Sequence, residues 1–430
     1  HNSTRNKQDR TDPIIQHFSL RKDTTQRTFL HAKNKTHSVY RRIIQTDEII
    51  YIFKHNMNAS SLLNESYDDN LSARNFPSVV ETFKIVAPAA LLIDRVITPI
   101  WYTVGIIGNP IIAKIWLSQK MRKTNSSAIY LGSIAIVHFI FIFLHMLLEL
   151  HLAWDVTTYN RPHFCEVFNF FYMTFQYLAP FLILGFTVER YIAVCHPFRK
   201  DKYCTVKRAF TAVIILTALS LLLGSVQSYI WSYMEVRKIC ALRKGSHRFY
   251  LIWTWLSEML IFVIVPVLAL IFNILVIREI RILSRRDSYR GRHFSSNCHD
   301  YQTSTVTLLC VSFYLIFTLL PATVVYSVQS LIPDGNPSLP FEQWPTDPGW
   351  RPYLTYFTIR KVVEEICFSN CACYIFVYYL TGAYFKKEVQ AMFKWCSCTF
   401  IRKKKVINSK TQEYTLVTSN GRDESVTLSL

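Results

Sequence analysis

The stretch that decides the fold is Cys165–Phe198, CEVFNFFYMTFQYLAPFLILGFTVERYIAVCHPF. It begins on a cysteine, crosses a largely uncharged apolar and aromatic run, and ends on Glu189-Arg190-Tyr191 followed by His196-Pro197. As a helix, the path from Cys165 to Arg190 covers roughly 37 Å at 1.5 Å per residue. That carries a tilted helix past both edges of the ~30 Å hydrocarbon core of a bilayer. A disulfide-capable thiol then stands at one membrane face and a charged pair at the other.

Six further runs have the same character: roughly 93–118, 126–150, 209–231, 250–277, 303–328 and 353–380. Half of the 430 residues are apolar and 15% are aromatic. Seven such runs in one chain exclude an ordinary soluble enzyme and predict an all-α membrane protein with seven spanning helices. The formal charge of +19 would suggest nucleic acid in a soluble protein. Here its distribution points to orientation instead. Basic residues crowd the segments at 120–123, 199–208, 278–292 and 386–405, and are sparser in the alternate loops. The positive-inside rule therefore puts the amino terminus outside and the carboxyl terminus in the cytoplasm. Of eleven cysteines, Cys165 and Cys240 fall on the oxidising side.

The chain divides into an outer tail over 1–92, a bundle over 93–380, an amphipathic stretch over 381–398 and a cytoplasmic tail over 399–430. The outer tail is polar and aperiodic, which predicts disorder. It carries Asn-x-Ser/Thr sequons at Asn2, Asn34, Asn58, Asn64 and Asn70, candidate glycosylation sites. It opens on His1 with no initiator Met and no visible signal peptide, as a fragment would.

The motifs, taken in order, resemble the rhodopsin-like (class A) G-protein-coupled receptors. Gly108-Asn109 matches the family's first helix, and Asn125-Ser126-Ser127-Ala128-Ile129-Tyr130-Leu131 the start of its second. The Cys165–Arg190 spacing, Glu-Arg-Tyr with His-Pro, Cys240, Pro266 and Pro321 follow in the expected places. The start of helix two and the loop CHPFRKDKYCTVKR look most like invertebrate neuropeptide receptors of the FMRFamide or thyrotropin-releasing-hormone-receptor-like groups. The resemblance covers about residues 93–395.

It implies a plasma-membrane receptor, not an enzyme, with an extracellular peptide ligand and a heterotrimeric G protein as partner. Glu149, Tyr172, Gln176, Glu258, Tyr326 and Glu365 are the candidate ligand contacts. Intramembrane carboxylates are costly and point to function by default. Glu189, Arg190 and Tyr191 form the implied G-protein switch, with Arg190 resting against Glu189 in the inactive form. A Cys165–Cys240 disulfide would pin the second outer loop over the ligand mouth. An eighth helix on the membrane surface would place Cys396 and Cys398 for palmitoylation in contact with membrane lipids. Ser419, Ser425 and Thr427 would serve arrestin recruitment. No cofactor, metal or nucleic acid is implied: His138, His145 and Glu149 lack the i, i+3/i+4 spacing of helical metal sites.

Several family positions differ. His138 stands where the family has a buried Asp of a sodium pocket, and Leu319 where it has a toggle Trp. The Asn-Pro-x-x-Tyr motif of helix seven falls on Cys373-Tyr374-Ile375-Phe376-Val377, with Tyr378 one residue late. A neutral His does not attract sodium, so the sequence predicts no sodium-dependent allostery. Two other readings follow from these departures: a degenerate receptor that binds or scaffolds without efficient coupling, or a seven-span transporter. The transporter needs internal repeats, which the sequence does not display.

Overall fold

A computed structural model describes residues 78–394, apart from 236–237, 244, 290–295, 329–330, 334 and 337–338. The sequons at Asn2, Asn34, Asn58, Asn64 and Asn70, together with Cys396, Cys398 and residues 399–430, lie outside the described residues.

Helix one is Pro88–Trp116, helix two Ser126–Leu152, helix three Phe164–Cys195 and helix four Val206–Ile230. Helix five runs from His247 to Tyr289 in three parts, and helix six is Ser296–Val328. Helix seven comes as Arg351–Ala372 and Tyr374–Thr381. Helix three packs against two, four and five, helix one against two and seven, and helix six against five and seven. Among the described residues, six helices are long and apolar enough to cross a membrane. Helix seven falls outside that group because Arg360, Lys361, Glu364 and Glu365 lie within one and a half turns of it.

Side-chain size sets how closely these helices approach. A Cβ added at Gly224 of helix four would run into the Thr174 hydroxyl of helix three. Prolines set their shape. Helix five widens into a π-segment over Met259–Ile264, directly before Pro266. Proline there removes a donor and crowds the carbonyl four residues back, that of Phe262. Thr323 of helix six donates to this carbonyl at 2.6 Å, so the freed acceptor becomes a link between helices.

With inner and outer naming the two ends as the distribution of basic residues predicts them, the main core fills the centre and inner half, with Leu131, Ile134, Leu182, Ile183 and Phe186 fully buried. After a break at Gly382, residues 383–394 form the amphipathic eighth helix, which buries Phe385 and Val389 and exposes Lys387. Phe385 stacks on Trp116 of helix one, ring centroids 6.2 Å apart, which fixes where helix eight leaves the bundle.

The outer tail differs from the sequence expectation where it meets the bundle. Residues 79–86 are helical, capped by a reciprocal Ser78/Glu81 box, and helix one starts at Pro88 rather than 93. The outer helix Val79–Val86 is amphipathic. It buries Val80, Phe83 and Val86 against Trp344, Trp350, Tyr353 and Phe357 of the third outer loop and helix seven. Phe83 stacks on Phe357 at 5.7 Å and Trp344 on Trp350 at 3.9 Å. Gly335 is required there, since a Cβ would enter the Trp350 ring. The polar average of residues 1–92 hides the apolar face of this eight-residue helix.

Candidate functional site

The outer half of the bundle is closed on one side by a hairpin. Strands β1 (Trp231–Met234) and β2 (Ile239–Leu242) pair antiparallel, with Tyr233 opposite Cys240. The expected Cys165–Cys240 disulfide forms, Cα atoms 5.5 Å apart, and ties β2 to the top of helix three. Two side chains complete the attachment. Glu166 accepts from the Tyr233 amide at 3.2 Å, and Asn160 accepts from the Cys240 amide at 2.8 Å.

Charged groups gather on helix seven. Lys361 lies 3.2 Å from Asp94 of helix one and 3.6 Å from Glu364. Arg360 reaches the other oxygen of Glu364 at 2.8 Å and covers the ring of Tyr326 on helix six at 5.2 Å. Tyr326 donates to Glu364 at 3.4 Å, and Phe262 of helix five packs on its ring at 5.5 Å. Helical geometry explains the division. Residues 360 and 361 point about 100° apart, towards helices six and one, while Glu364 lies within one turn of both.

Glu365 takes a separate direction and accepts from Thr98 of helix one at 2.5 Å. Glu149 of helix two is within electrostatic reach of Lys361 and Asp94. One turn below, His145 bonds Tyr102 at 2.9 Å and packs on Phe368 at 4.2 Å. Tyr172 closes this aromatic group, 5.3 Å from Phe141.

The candidate ligand contacts thus fall into two sets. Glu149, Tyr172 and Glu365 face the side of helices one, two and seven; Glu258 and Tyr326 face helices five and six. Gln176 is half-buried in the middle of helix three, outside both sets. The residues joining the sets, Asp94, Arg360, Lys361 and Glu364, were not singled out from the sequence. Their signal was present: opposite charges at i, i+4 in RKVVEE, and an Asp in the first turns of an apolar helix.

Around this cluster the carboxylates of Asp94, Glu149, Glu258, Glu364 and Glu365 outnumber the cations of Arg360 and Lys361. Asp94, Glu149, Arg360, Lys361 and Glu365 are each no more than 8% exposed. Glu149, Glu258 and Glu365 each keep one carboxyl oxygen buried with no hydrogen-bond partner among the described residues. Such groups are costly in a low-dielectric interior unless a partner arrives.

At the inner end, Ser127 links the two charged residues of the Glu-Arg-Tyr motif. Glu189 accepts from Ser126 at 2.6 Å and Ser127 at 3.0 Å, and Arg190 bonds the same Ser127 hydroxyl. Asn125, whose side chain caps helix two, is 3.5 Å from Arg190. Tyr191 packs edge-on against His196 at 5.5 Å.

Between the two ends, His138 stacks on Tyr374 at 5.3 Å, where the family would hold sodium. Asn109 donates to the Cys371 carbonyl at 3.0 Å, and Asn370 to Thr318 at 2.7 Å. Helix seven still breaks at Cys373 without the family's proline. Tyr378 packs on Trp116 and Phe385. Its hydroxyl has no hydrogen-bond partner among the described residues.

The sequence profile described as "7 transmembrane receptor (rhodopsin family)" matches residues 108–346. The chain belongs to the rhodopsin family of seven-transmembrane receptors. This is a family of receptors rather than enzymes. The chain is similar to chemerin-like receptor 2 of Mus musculus, 27% identical over 165 residues, covering 36% of this chain and 45% of that one. Cephalotocin receptor 1 of Octopus vulgaris is 24% identical over 157 residues, 35% and 38% of the two chains. C-C chemokine receptor type 1 of Homo sapiens is 23% identical over 299 residues, 68% and 77%. The first two matches span less than half the length of those relatives. In this rhodopsin-family chain the profile match ends at residue 346, before the charged helix seven begins at Arg351.

Proposed function

We propose that this chain is a plasma-membrane receptor for an extracellular peptide, with its amino terminus outside, signalling to a heterotrimeric G protein at its inner end. The observation that carries the reading is the surplus of buried carboxylates around helix seven, below the disulfide-held hairpin. A ligand that brings positive charge, such as a peptide with a basic side chain or a free amino terminus, satisfies Glu149 and Glu258 where the protein leaves an oxygen of each unpartnered. Binding there would bias helix six through Tyr326, which bonds Glu364 and packs on helix five. The ligand acts by its differential affinity for two bundle arrangements.

The finer likeness to invertebrate neuropeptide receptors belongs to this proposal, as do glycosylation at the tail asparagines, palmitoylation at Cys396 and Cys398, and arrestin as a second inner partner. The degenerate-receptor reading keeps one observation in its favour: Tyr374 stacks on His138 where a polar pocket would couple helices two and seven.

A secreted-peptide library screened on cells expressing the chain, reading calcium and cyclic AMP together, tests the proposal. Hits should be enriched in basic peptides and weakened by Glu149→Gln or Glu258→Gln. Arg190→Ala should abolish guanine-nucleotide exchange while surface expression persists; retained exchange would overturn the inner-end assignment. Binding without exchange in the unmodified chain would select the degenerate reading.

A further inference from the structure

The inner third of helix five carries a groove of about 470 Å³ lined, among the described residues, by Ile274, Ile277, Arg278, Arg281, Ile282 and Arg285. At about 100° per residue, Arg278, Arg281 and Arg285 lie within about 60° of one another and span about 10 Å of helix. The residues by which this helix buries itself in the bundle are Val265, Ala269, Asn273 and Val276. They fall on the opposite side of the helical wheel. The arginine face is therefore turned away from the packed side of helix five.

Going up the same face, Ile274, Ile271 and Val267 are exposed at 54%, 47% and 44%. The stripe thus changes from exposed hydrocarbon to three exposed guanidiniums at the depth where the span ends. That sequence of surfaces matches an acyl chain followed by an anionic headgroup. Arginine forks suit phosphate oxygens in pairs, and their apolar stems pack along the isoleucines.

We propose that this face is a binding site for an anionic phospholipid, its phosphate held by Arg278, Arg281 and Arg285 and its acyl chain lying along Val267–Ile274. The site rests on the orientation proposed above, which puts the arginines at the inner leaflet. A G-protein surface is the competing use of the same charges. It fits less well, because the face points out of the bundle and is continuous with the lipid-exposed stripe.

The test uses the full chain in nanodiscs of phosphatidylcholine doped with fluorescent phosphatidylinositol bisphosphate. Replacing all three arginines with glutamine should weaken labelled-lipid binding about a hundredfold, since each basic side chain near an anionic headgroup contributes roughly fivefold. Replacing Lys200, Lys202 and Lys207 of the second inner loop with glutamine should change it little. The soluble inositol phosphate should compete poorly, because it lacks the acyl chain; equal competition would overturn the lipid assignment. So would equal losses in both triple variants, or intact lipid binding with lost G-protein association. Ile274→Ser, which keeps every charge, should weaken the lipid but not the soluble headgroup. Protease protection of a carboxyl-terminal epitope reports the orientation separately, so failure of that reading is distinguishable.

Discussion

Helix three buries its middle in hydrocarbon, with Leu182, Ile183 and Phe186 fully enclosed, and keeps its bridging cysteine and its charged pair at the two ends. Helix seven encloses Arg360 and Lys361 in its outer half and holds them with Asp94 and Glu364. The first is stabilised by area removed from water, or from lipid through packing, which is non-directional and tolerates exchange of one apolar shape for another. The second is stabilised by pairing, which is directional and does not tolerate removal of one partner. The two helices should therefore respond differently to the same substitution.

The largest effect is expected from Lys361→Met. It conserves volume but strands Asp94 and part of Glu364, costing about 3–5 kcal/mol. Thermal unfolding of the purified receptor measures it, and adding Asp94→Leu should recover most of the loss. If the single variant loses less than about 1 kcal/mol, the cluster does not carry stability and the contrast fails. Leu182→Ala in helix three should cost about 2–5 kcal/mol through a cavity. Leu182→Met, the volume-conserving counterpart of Lys361→Met, should cost less than about 1.5 kcal/mol. The difference between the two methionine variants is the sharpest measure of the contrast.

Smaller effects follow at the polar contacts of each helix. Thr98→Val removes the hydroxyl on Glu365 and should cost about 1–3 kcal/mol, read by unfolding, because the carboxyl is left without that partner. Ser127→Ala should cost only about 0.5–1.5 kcal/mol. It should also raise basal nucleotide exchange, because that hydroxyl is shared by Glu189 and Arg190. Unchanged basal exchange would separate the serine from the switch.

The sequence made helix three legible almost completely, since its period, its terminal cysteine and its charged end are local signals. The Cys165–Cys240 bridge was legible because the topology left those two thiols outside. Helix seven was legible as a span but not as a network. RKVVEE announces charges, yet which partner each one meets depends on Asp94, 267 residues before Lys361, and on the helix packing that brings them together. Ser126 and Ser127 are legible as part of the family's helix-two motif, while their role as bridges to Glu189 and Arg190 depends on side-chain positions. The outer helix Val79–Val86 had a readable capping box at Ser78 and Glu81. Its reason to be ordered lies in Trp344, Trp350 and Phe357, which no local reading of the tail can supply.

The hairpin of β1 and β2 and the outer helix Val79–Val86 flank the same mouth, but they are moored differently. One is held by a covalent bond to helix three, the other by stacked rings and aliphatic contacts at helix seven. Opening fluctuations will concentrate on the side whose contacts part reversibly, giving the mouth a fixed jamb and a swinging door. For the ligand proposed above, residence time then becomes a property of the door. Trp350→Ala should shorten it and speed amide exchange across 79–86, while exchange across the strands Trp231–Met234 and Ile239–Leu242 stays slow.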